Sequence, residues 1–326
     1  MLERDAIHEG KPISAKRVGV ETKPRIAVLI PCYNEEKTIG KVVRDFRARL
    51  PDADIVVFDN NCSDRTVDCA VEAGARVLSE PRQGKGFVVE QMFDRVDADF
   101  YVMVDGDDTY PADRVHDILE PVMLGAADMV VGARLSEFTE KSFRPLHVLG
   151  NGLVRGLINR IFRTNLTDIL SGYRAYNRRV VSRLPIVSPG FEVETELTVQ
   201  MLYHRLKLEE VQVPYRERPA GSFSKLRTFR DGFRVLWKIF NLFRSFKPLT
   251  FFGGVGIVFF ALAALAGWGP ITDYIEHRYV YRVPLAILAT GLVLLAAGST
   301  FVGILLHAIN WRFIELHSVV TRRSNS

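Results

Sequence analysis

The segment YVMVDGDDTYP, residues 101–111, runs four mostly apolar residues directly into Asp105, Asp107 and Asp108. Carboxylates this close repel one another, and joint ionisation is resisted unless a positive charge sits among them. A hard divalent cation supplies that charge and favours oxygen ligands. Mg²⁺ takes one or two protein carboxylates and completes its shell with water and substrate phosphates. Asp105 and Asp107, one residue apart around Gly106, therefore imply a phosphorylated ligand held through Mg²⁺ or Mn²⁺. The plain structural alternative is a solvated turn in which Asp108 and Thr109 cap a helix starting near Pro111.

A second chemistry fits the same letters. DGDDT resembles the Asp-x-Asp-x-Thr nucleophile loop of haloacid-dehalogenase-type phosphatases, in which the first aspartate attacks phosphorus and the second is the general acid. Those enzymes carry the loop on their first strand, with a later lysine and a second acidic pair. Here two apolar segments precede it, and no acidic pair follows an apolar strand downstream. Other nucleotide signatures are missing: RQGKG at 82–86 lacks the first glycine and the hydroxyl of a P-loop, and no GxGxxG follows the first strand. RQGKG reads instead as a flexible glycine loop with Arg82 and Lys85 near phosphates, or as a plain turn.

The elements that must position these groups are short apolar runs rich in β-branched residues at 25–30, 54–58, 75–78, 100–104 and 128–132. Helical stretches such as 36–50 and 64–73 separate most of them. This alternation predicts a mostly parallel sheet covered on both faces, where ligands gather beyond the carboxyl ends of the strands. Three strands end in polar runs, PCYNEE (31–36), DNNCSD (59–64) and DGDDTYP (105–111), which would open onto one edge.

With 25% charged and 48% apolar residues over 326, the chain has ample material for a core, and a net charge of +5 gives no case for nucleic acid. Cys32, Cys62 and Cys69 form no CxxC pair, which argues for a reducing cytoplasm without disulfides or zinc. Two uncharged runs, 249–268 and 283–309, are long enough to cross a bilayer. Arg244 and Lys247 precede the first run and Arg312, Arg322 and Arg323 follow the second, which places both chain ends and the region 26–220 in the cytoplasm. Between 226 and 246, Phe229, Phe233, Leu236, Phe240 and Phe243 recur at helical spacing, with Arg227, Arg230, Arg234 and Lys238 opposite. That pattern predicts a helix lying in the membrane interface and meeting anionic lipids, or else one packed on the globular domain. Small residues in GLVLLAAGSTFVG (291–303) would admit a homo-oligomer.

In order, IPCYNEE, FDNNCSDRT, QGKG, MVDGDDTYP, VVGAR, DILSGYRAY, GFEVETEL and RPAGSFSK resemble the family 2 glycosyltransferases, and more narrowly the dolichyl- or polyprenyl-phosphate sugar synthases. The resemblance covers about residues 25–245, and the two apolar runs match the multi-pass bacterial branch. It implies an α/β, Rossmann-like GT-A domain at 25–222 after a loose tail at 1–24. An interfacial helix at 223–247, two transmembrane helices within 248–310 and a cytosolic tail at 311–326 would follow. It implies inverting transfer of a monosaccharide from a UDP- or GDP-linked donor to a polyprenyl phosphate.

By the same resemblance, Pro31, Tyr33, Glu35 and Asp59 hold base and ribose, with Lys85 and Gly106 completing the donor set. Asp105 and Asp107 carry the metal and diphosphate. Many relatives have a glutamine where this chain has Thr109, which leaves the third ligand open. Arg134, Arg218, Ser224 and Lys225 grip phosphate of donor or acceptor, and Asp168 lies beside the acceptor. Asp105, Asp107, Asp168 and Arg134 are the expected catalytic set. Arg174 pairs with an acid or a phosphate, and an acid of EVETE, Glu194, orients sugar hydroxyls. Two further functions stay open: a processive polysaccharide synthase, although the chain lacks QxxRW and further spans, and a non-catalytic membrane subunit that binds sugar nucleotide.

Overall fold

The computed structural model describes residues 23–134, 145–190, 192–216, 237, 240–241, 243–245 and 247–324. Seven strands form one sheet: β1 Ile26–Cys32, β2 Asp54–Asp59, β3 Arg76–Ser79, β4 Phe100–Met103, β5 Met129–Arg134, β6 Arg174–Asn177 and β7 Leu208–Val213, in the order β3-β2-β1-β4-β6-β5-β7. All neighbours are parallel except β6, which runs antiparallel to both β4 and β5.

Both faces of the sheet are covered, which is why its central strands read as unbroken apolar runs. Val28, Ile30, Ile55, Val57 and Val102 pack on one face with Val43 and Phe46 of helix α1 (Ile39–Arg49). Ala27, Leu29, Val56, Phe58 and Met103 pack on the other with Val89 and Met92 of α3 (Lys85–Arg95) and Leu197 of α7 (Val193–Tyr203). Strand alternation alone divides consecutive residues between the two cores. Helices α2 (Thr66–Glu72), α4 (Val115–Met123), α5 (Pro145–Phe162) and α6 (Arg178–Val181) complete the layers. Within α5, Val154 and Ile158 meet Val199 of α7 in a third, smaller core.

The two apolar runs become α8, Pro248–His277, and α9, Val283–Ser324. Both have the length and composition to cross a membrane, and only 11% of each apolar window is buried. The connection is shorter than expected. Residues 271–277 continue α8, so only Arg278–Arg282 turn the chain, and Arg282 reaches back to Asp273 at 3.8 Å. The second helix likewise continues past residue 310 through Ser324. Exposed Trp268, Tyr274, Tyr279 and Tyr281 ring the turn, as aromatic side chains do where hydrocarbon meets water.

Part of the small-residue face of α9 packs within the chain. Ser299 Oγ donates to the Phe252 carbonyl at 2.8 Å, and a Cβ on Gly256 would crowd Thr300 and the Ala296 carbonyl. Gly291 and Gly298 meet nothing within 4 Å, so that part of the face stays open.

Of the expected interfacial helix, Trp237, Phe240–Asn241 and Phe243–Ser245 are described and helical. Phe240 and Phe243 both set their rings edge-on against Phe251 of α8, with centroids 5.0 and 5.6 Å apart. The cations Arg227, Arg230, Arg234 and Lys238 lie outside the described residues, as does nearly all of the 1–24 tail.

Candidate active site at the carboxyl edge of the sheet

Because β1, β2 and β4 are parallel, their three polar runs emerge on one edge, with Cys32 level with Asp59 and Leu29 with Met103. The runs are stitched together there. Thr38 Oγ1 donates to the Gly106 carbonyl at 2.7 Å, the Glu35 amide donates to Thr66 Oγ1, and the Ser63 amide donates to Asn34 Oδ1. A side chain at Gly106 would strike the Glu35 carboxylate and Cys32 Sγ, so Glu35 lies directly against the aspartate loop.

The four positions of that loop have separate tasks. Asp107 is 3% exposed and accepts from the Thr109 hydroxyl at 2.6 Å and from the Thr109 amide at 3.3 Å. Fully buried Thr109 thus orients Asp107. Asp108 adopts φ 58° and pairs outward with Lys41 at 2.8 Å. Neither Asp108 nor Thr109 caps a helix: the short 3₁₀ turn Ala112–Arg114 starts at Pro111 without any side-chain cap.

Asp105 meets Lys85, whose ammonium lies 2.5 Å from Asp105 Oδ1 and 2.6 Å from Glu194 Oε1. Lys85 is 10% and Glu194 4% exposed. Burial alone would push the Lys85 ammonium below its ordinary value; the two carboxylates outweigh it and hold the group above that value. The RQGKG segment is not a flexible loop. The Gly86 amide donates to the Pro189 carbonyl at 3.1 Å, and a Cβ on Gly84 or Gly86 would run into the carbonyls of 188–189. Its glycines permit backbone contact, which fixes the base of α3 and so aims Lys85. Arg82 points elsewhere, to Glu80 and Glu90.

A second ion pair lies at the end of β5. Arg134 grips Asp168 through Nε at 2.6 Å and Nη2 at 2.9 Å, and the Arg134 amide adds a bond at 3.1 Å. Burial would raise the Asp168 carboxyl, but Arg134 and the backbone amides of Arg134 and Leu170 hold it below its usual range. The turn before it is clamped by Glu210 of β7, which accepts from the amides of Thr167 and Asp168 and from the Thr167 hydroxyl at 2.7–2.9 Å. Arg134 also faces the Tyr215 ring at 5.4 Å, and Tyr215 meets Tyr110 edge-on.

The edge therefore brings together Asp105, Asp107, Gly106, Glu35 and Lys85, with Arg134 and Asp168 joined as one pair. Gly172 completes the corner. The register Met103↔Arg174 lays it against Asp105, and a Cβ there would collide with that carboxylate. Pro31 is buried in β1, while Tyr33 is 38% exposed beyond it. Asp59 ends β2 with Oδ1 accepting the Cys62 amide at 2.8 Å. Burial, then Asp59, pushes the Cys62 thiol up to about 11. Arg218, Ser224 and Lys225 lie outside the described residues.

Arg174 is a correction. It is fully buried on β6 and donates to the Ser171 carbonyl at 2.8 Å, the Ile169 carbonyl at 2.6 Å and Thr198 Oγ1 at 3.0 Å. It meets neither an acid nor the cleft; it ties down the backbone of 169–171. Arg174→Met is expected to destabilise the protein by about 3 kcal/mol, because three buried acceptors lose a charged donor. The measured loss should appear in chemical unfolding, and a folded Arg174→Lys variant should keep KM for donor and acceptor within about twofold.

Glu194 resolves the ambiguity of EVETE. Glu196, two residues on, turns instead to the amide of Ser188 at 2.7 Å. Sequence inspection missed Glu210 and the pairing of Arg134 with Asp168. Its only trace was the shared occurrence of both residues among the quoted motifs.

The donor chemistry of the corner fits a divalent cation. Asp105 and Asp107 are hard oxygen donors, the missing side chain of Gly172 makes room for the Asp105 carboxylate, and no group of three His, Cys, Asp or Glu residues suited to a metal occurs among the described residues. Such an ion would draw the rest of its shell from a ligand's phosphates.

Comparison with known proteins gives the family and the fold. The model of glycosyl transferase family 2 matches residues 27–184. Glycosyltransferase AglJ of Haloferax volcanii is 32% identical over 282 residues, spanning 85% of this chain and 92% of AglJ. The dolichyl-phosphate hexose transferase of the same organism is 33% identical over 209 residues, 64% of this chain and 89% of that one. Glucosyl-3-phosphoglycerate synthase of Mycobacterium tuberculosis shares the fold, with a TM-score of 0.57 at 23% identity over 68% of this chain and 81% of that one. Its complex with Mn²⁺, UDP and product superposes with a TM-score of 0.56 at 24% identity over 68% and 80%. With a GT-A-like sheet, its acidic motif at the carboxyl edge and a relative matched over nearly its whole length, the chain belongs to glycosyl transferase family 2.

Proposed function

We propose that the protein transfers a monosaccharide from a nucleoside-diphosphate sugar to a polyprenyl phosphate at the cytoplasmic face of a membrane. One observation carries the proposal: the Asp105–Asp107 corner belongs to the same chain as two helices built to cross a bilayer, with Phe240 and Phe243, just ahead of the first, packed on its Phe251. The relative named for dolichyl-phosphate hexose transfer supports the acceptor class, and the mycobacterial complex supports a divalent ion with a UDP-type donor.

Asp105 and Asp107 would hold Mg²⁺ or Mn²⁺, which supplies positive charge to the departing diphosphate. Lys85, already between Asp105 and Glu194, adds a fixed charge on the same side. A non-bridging, anionic oxygen of the acceptor's phosphate attacks the anomeric carbon. The bond to the donor's diphosphate breaks, and its electron pair leaves on the nucleoside diphosphate. A single displacement inverts the anomeric centre, so an α-linked donor gives a β-linked product. The acceptor is already anionic at neutral pH and needs no strong base. Asp168, with its oxygens taken up by Arg134 and backbone amides, serves to hold the Arg134 guanidinium at the acceptor side.

The test is incubation of purified protein with polyprenyl phosphate, Mn²⁺ or Mg²⁺ and a panel of UDP- and GDP-sugars. A lipid-linked monosaccharide that forms only with metal and disappears in EDTA is the expected result. Release of inorganic phosphate without acceptor would instead identify a phosphatase, and full activity in EDTA would remove the metal from the scheme.

A further inference from the structure

A cavity of about 610 Å³ lies between the end of α5 and the start of α8, away from the corner described above. Its charged walls are Arg160, Arg163 and Lys247, and its apolar walls include Leu157, Ile161 and Phe243. Lys247 is the residue immediately before α8, and its ammonium lies 5.5 Å from the Phe162 ring, so the cavity spans the joint between the globular domain and the first span. No carboxylate among the described residues pairs with any of the three cations. Phe251 amide donation to the Lys247 carbonyl at 3.0 Å fixes the mouth of the helix beside them.

We infer that this cavity binds the phosphate headgroup of an anionic bilayer phospholipid. The inference rests on α8 being a membrane span, which sets the cavity where hydrocarbon meets water. There, basic pockets beside spanning helices recruit anionic headgroups. Three unneutralised cations around one space call for an anion, and the apolar walls suit the glycerol and first methylenes above it. None of the lining residues belongs to the Asp105 corner, so the lipid held here is a non-reacting one. Occupied, the cavity would latch the catalytic domain to the membrane surface through both α5 and Lys247.

The full chain in detergent should be challenged with phosphatidylglycerol, phosphatidylcholine, inorganic phosphate and polyprenyl phosphate, with lipid retention read by native mass spectrometry and stability by thermal midpoint. Phosphatidylglycerol is expected to be retained and to raise the midpoint by about 5 °C. Each cation near an anionic surface contributes about a factor of five, so Arg160→Gln/Arg163→Gln/Lys247→Gln should weaken retention on the order of a hundredfold. The charge-preserving Arg160→Lys/Arg163→Lys variant should retain the lipid, which separates lost charge from lost fold. Equal retention of phosphatidylcholine, or displacement by inorganic phosphate alone, would overturn the inference. So would one-for-one displacement by polyprenyl phosphate, which would make the cavity an acceptor site. Retention is read without any sugar donor, so its failure is distinct from failure of the transferase reading.

Discussion

Asp107→Asn should lower sugar transfer on the order of 10³-fold, the scale of losing one centre of electrostatic stabilisation for a developing anion. The substitution keeps the shape of the side chain, and its oxygen can still accept from the Thr109 hydroxyl and amide. Unfolding should therefore move little while kcat collapses. The metal dependence supplies the decisive readout: the concentration of Mn²⁺ for half-maximal activity should rise steeply in the variant. A milder partner experiment follows from Thr109, which supports Asp107 without facing the cleft. Thr109→Val removes the 2.6 Å bond and should cost about tenfold through the same rise in metal requirement, since a hydrogen bond to a charged group is worth about 1.5 kcal/mol at the low end. An Asp107→Asn enzyme with unchanged metal response and near-normal turnover would sink the assignment of the corner.

The reason that aspartate could be read from sequence, and others could not, lies in how far apart the cooperating residues sit. The strands β1, β2, β4 and β5 announce themselves because burial on two faces leaves no charged position between their end residues. β6 and β7 do not. β6 is four residues long, enters antiparallel between parallel neighbours and carries Arg174, whose charge is satisfied by carbonyls brought up by the 169–171 turn and by the Thr198 hydroxyl. β7, LEEVQV, pairs only with β5 at the edge of the sheet. Its polar side chains need not be hidden, and one of them, Glu210, is used to clamp the turn at Thr167.

The site divides in the same way. Asp105 and Asp107 form a local pattern with one physical meaning, so spacing reveals them. Lys85 could be linked to phosphates by composition, but its partners lie 20 and 109 residues onward at Asp105 and Glu194, and only the packing of α3 against α7 joins them. Glu194 and Glu196 are both buried acids on one helix. They are two residues apart, and on a helix that spacing points side chains in different directions. One serves the site and the other a loop amide, a distinction carried by tertiary structure alone.

Lys85→Met should destabilise the protein by about 3 kcal/mol, because it leaves Asp105 and Glu194 without the cation both touch, and an uncompensated buried charge is costly. The pH dependence gives this effect a signature. In the native protein the ammonium is held above its ordinary value, which is about 10.4. Its stabilisation is fully present below that value and is lost only as pH rises through the higher folded one, so wild-type stability owes this pair nothing variable between pH 6 and 9. In Lys85→Met the group that titrates there is gone, so the variant should lack the fall in stability that wild type shows above about pH 10. Adding Glu194→Gln should restore most of the stability by removing one of the two unpaired carboxylates. It should not restore transfer if Lys85 also neutralises the donor's diphosphate. A double variant that recovers both stability and turnover would reduce Lys85 to a counter-ion, and the charge on the leaving group would then rest on Asp105, Asp107 and their metal alone.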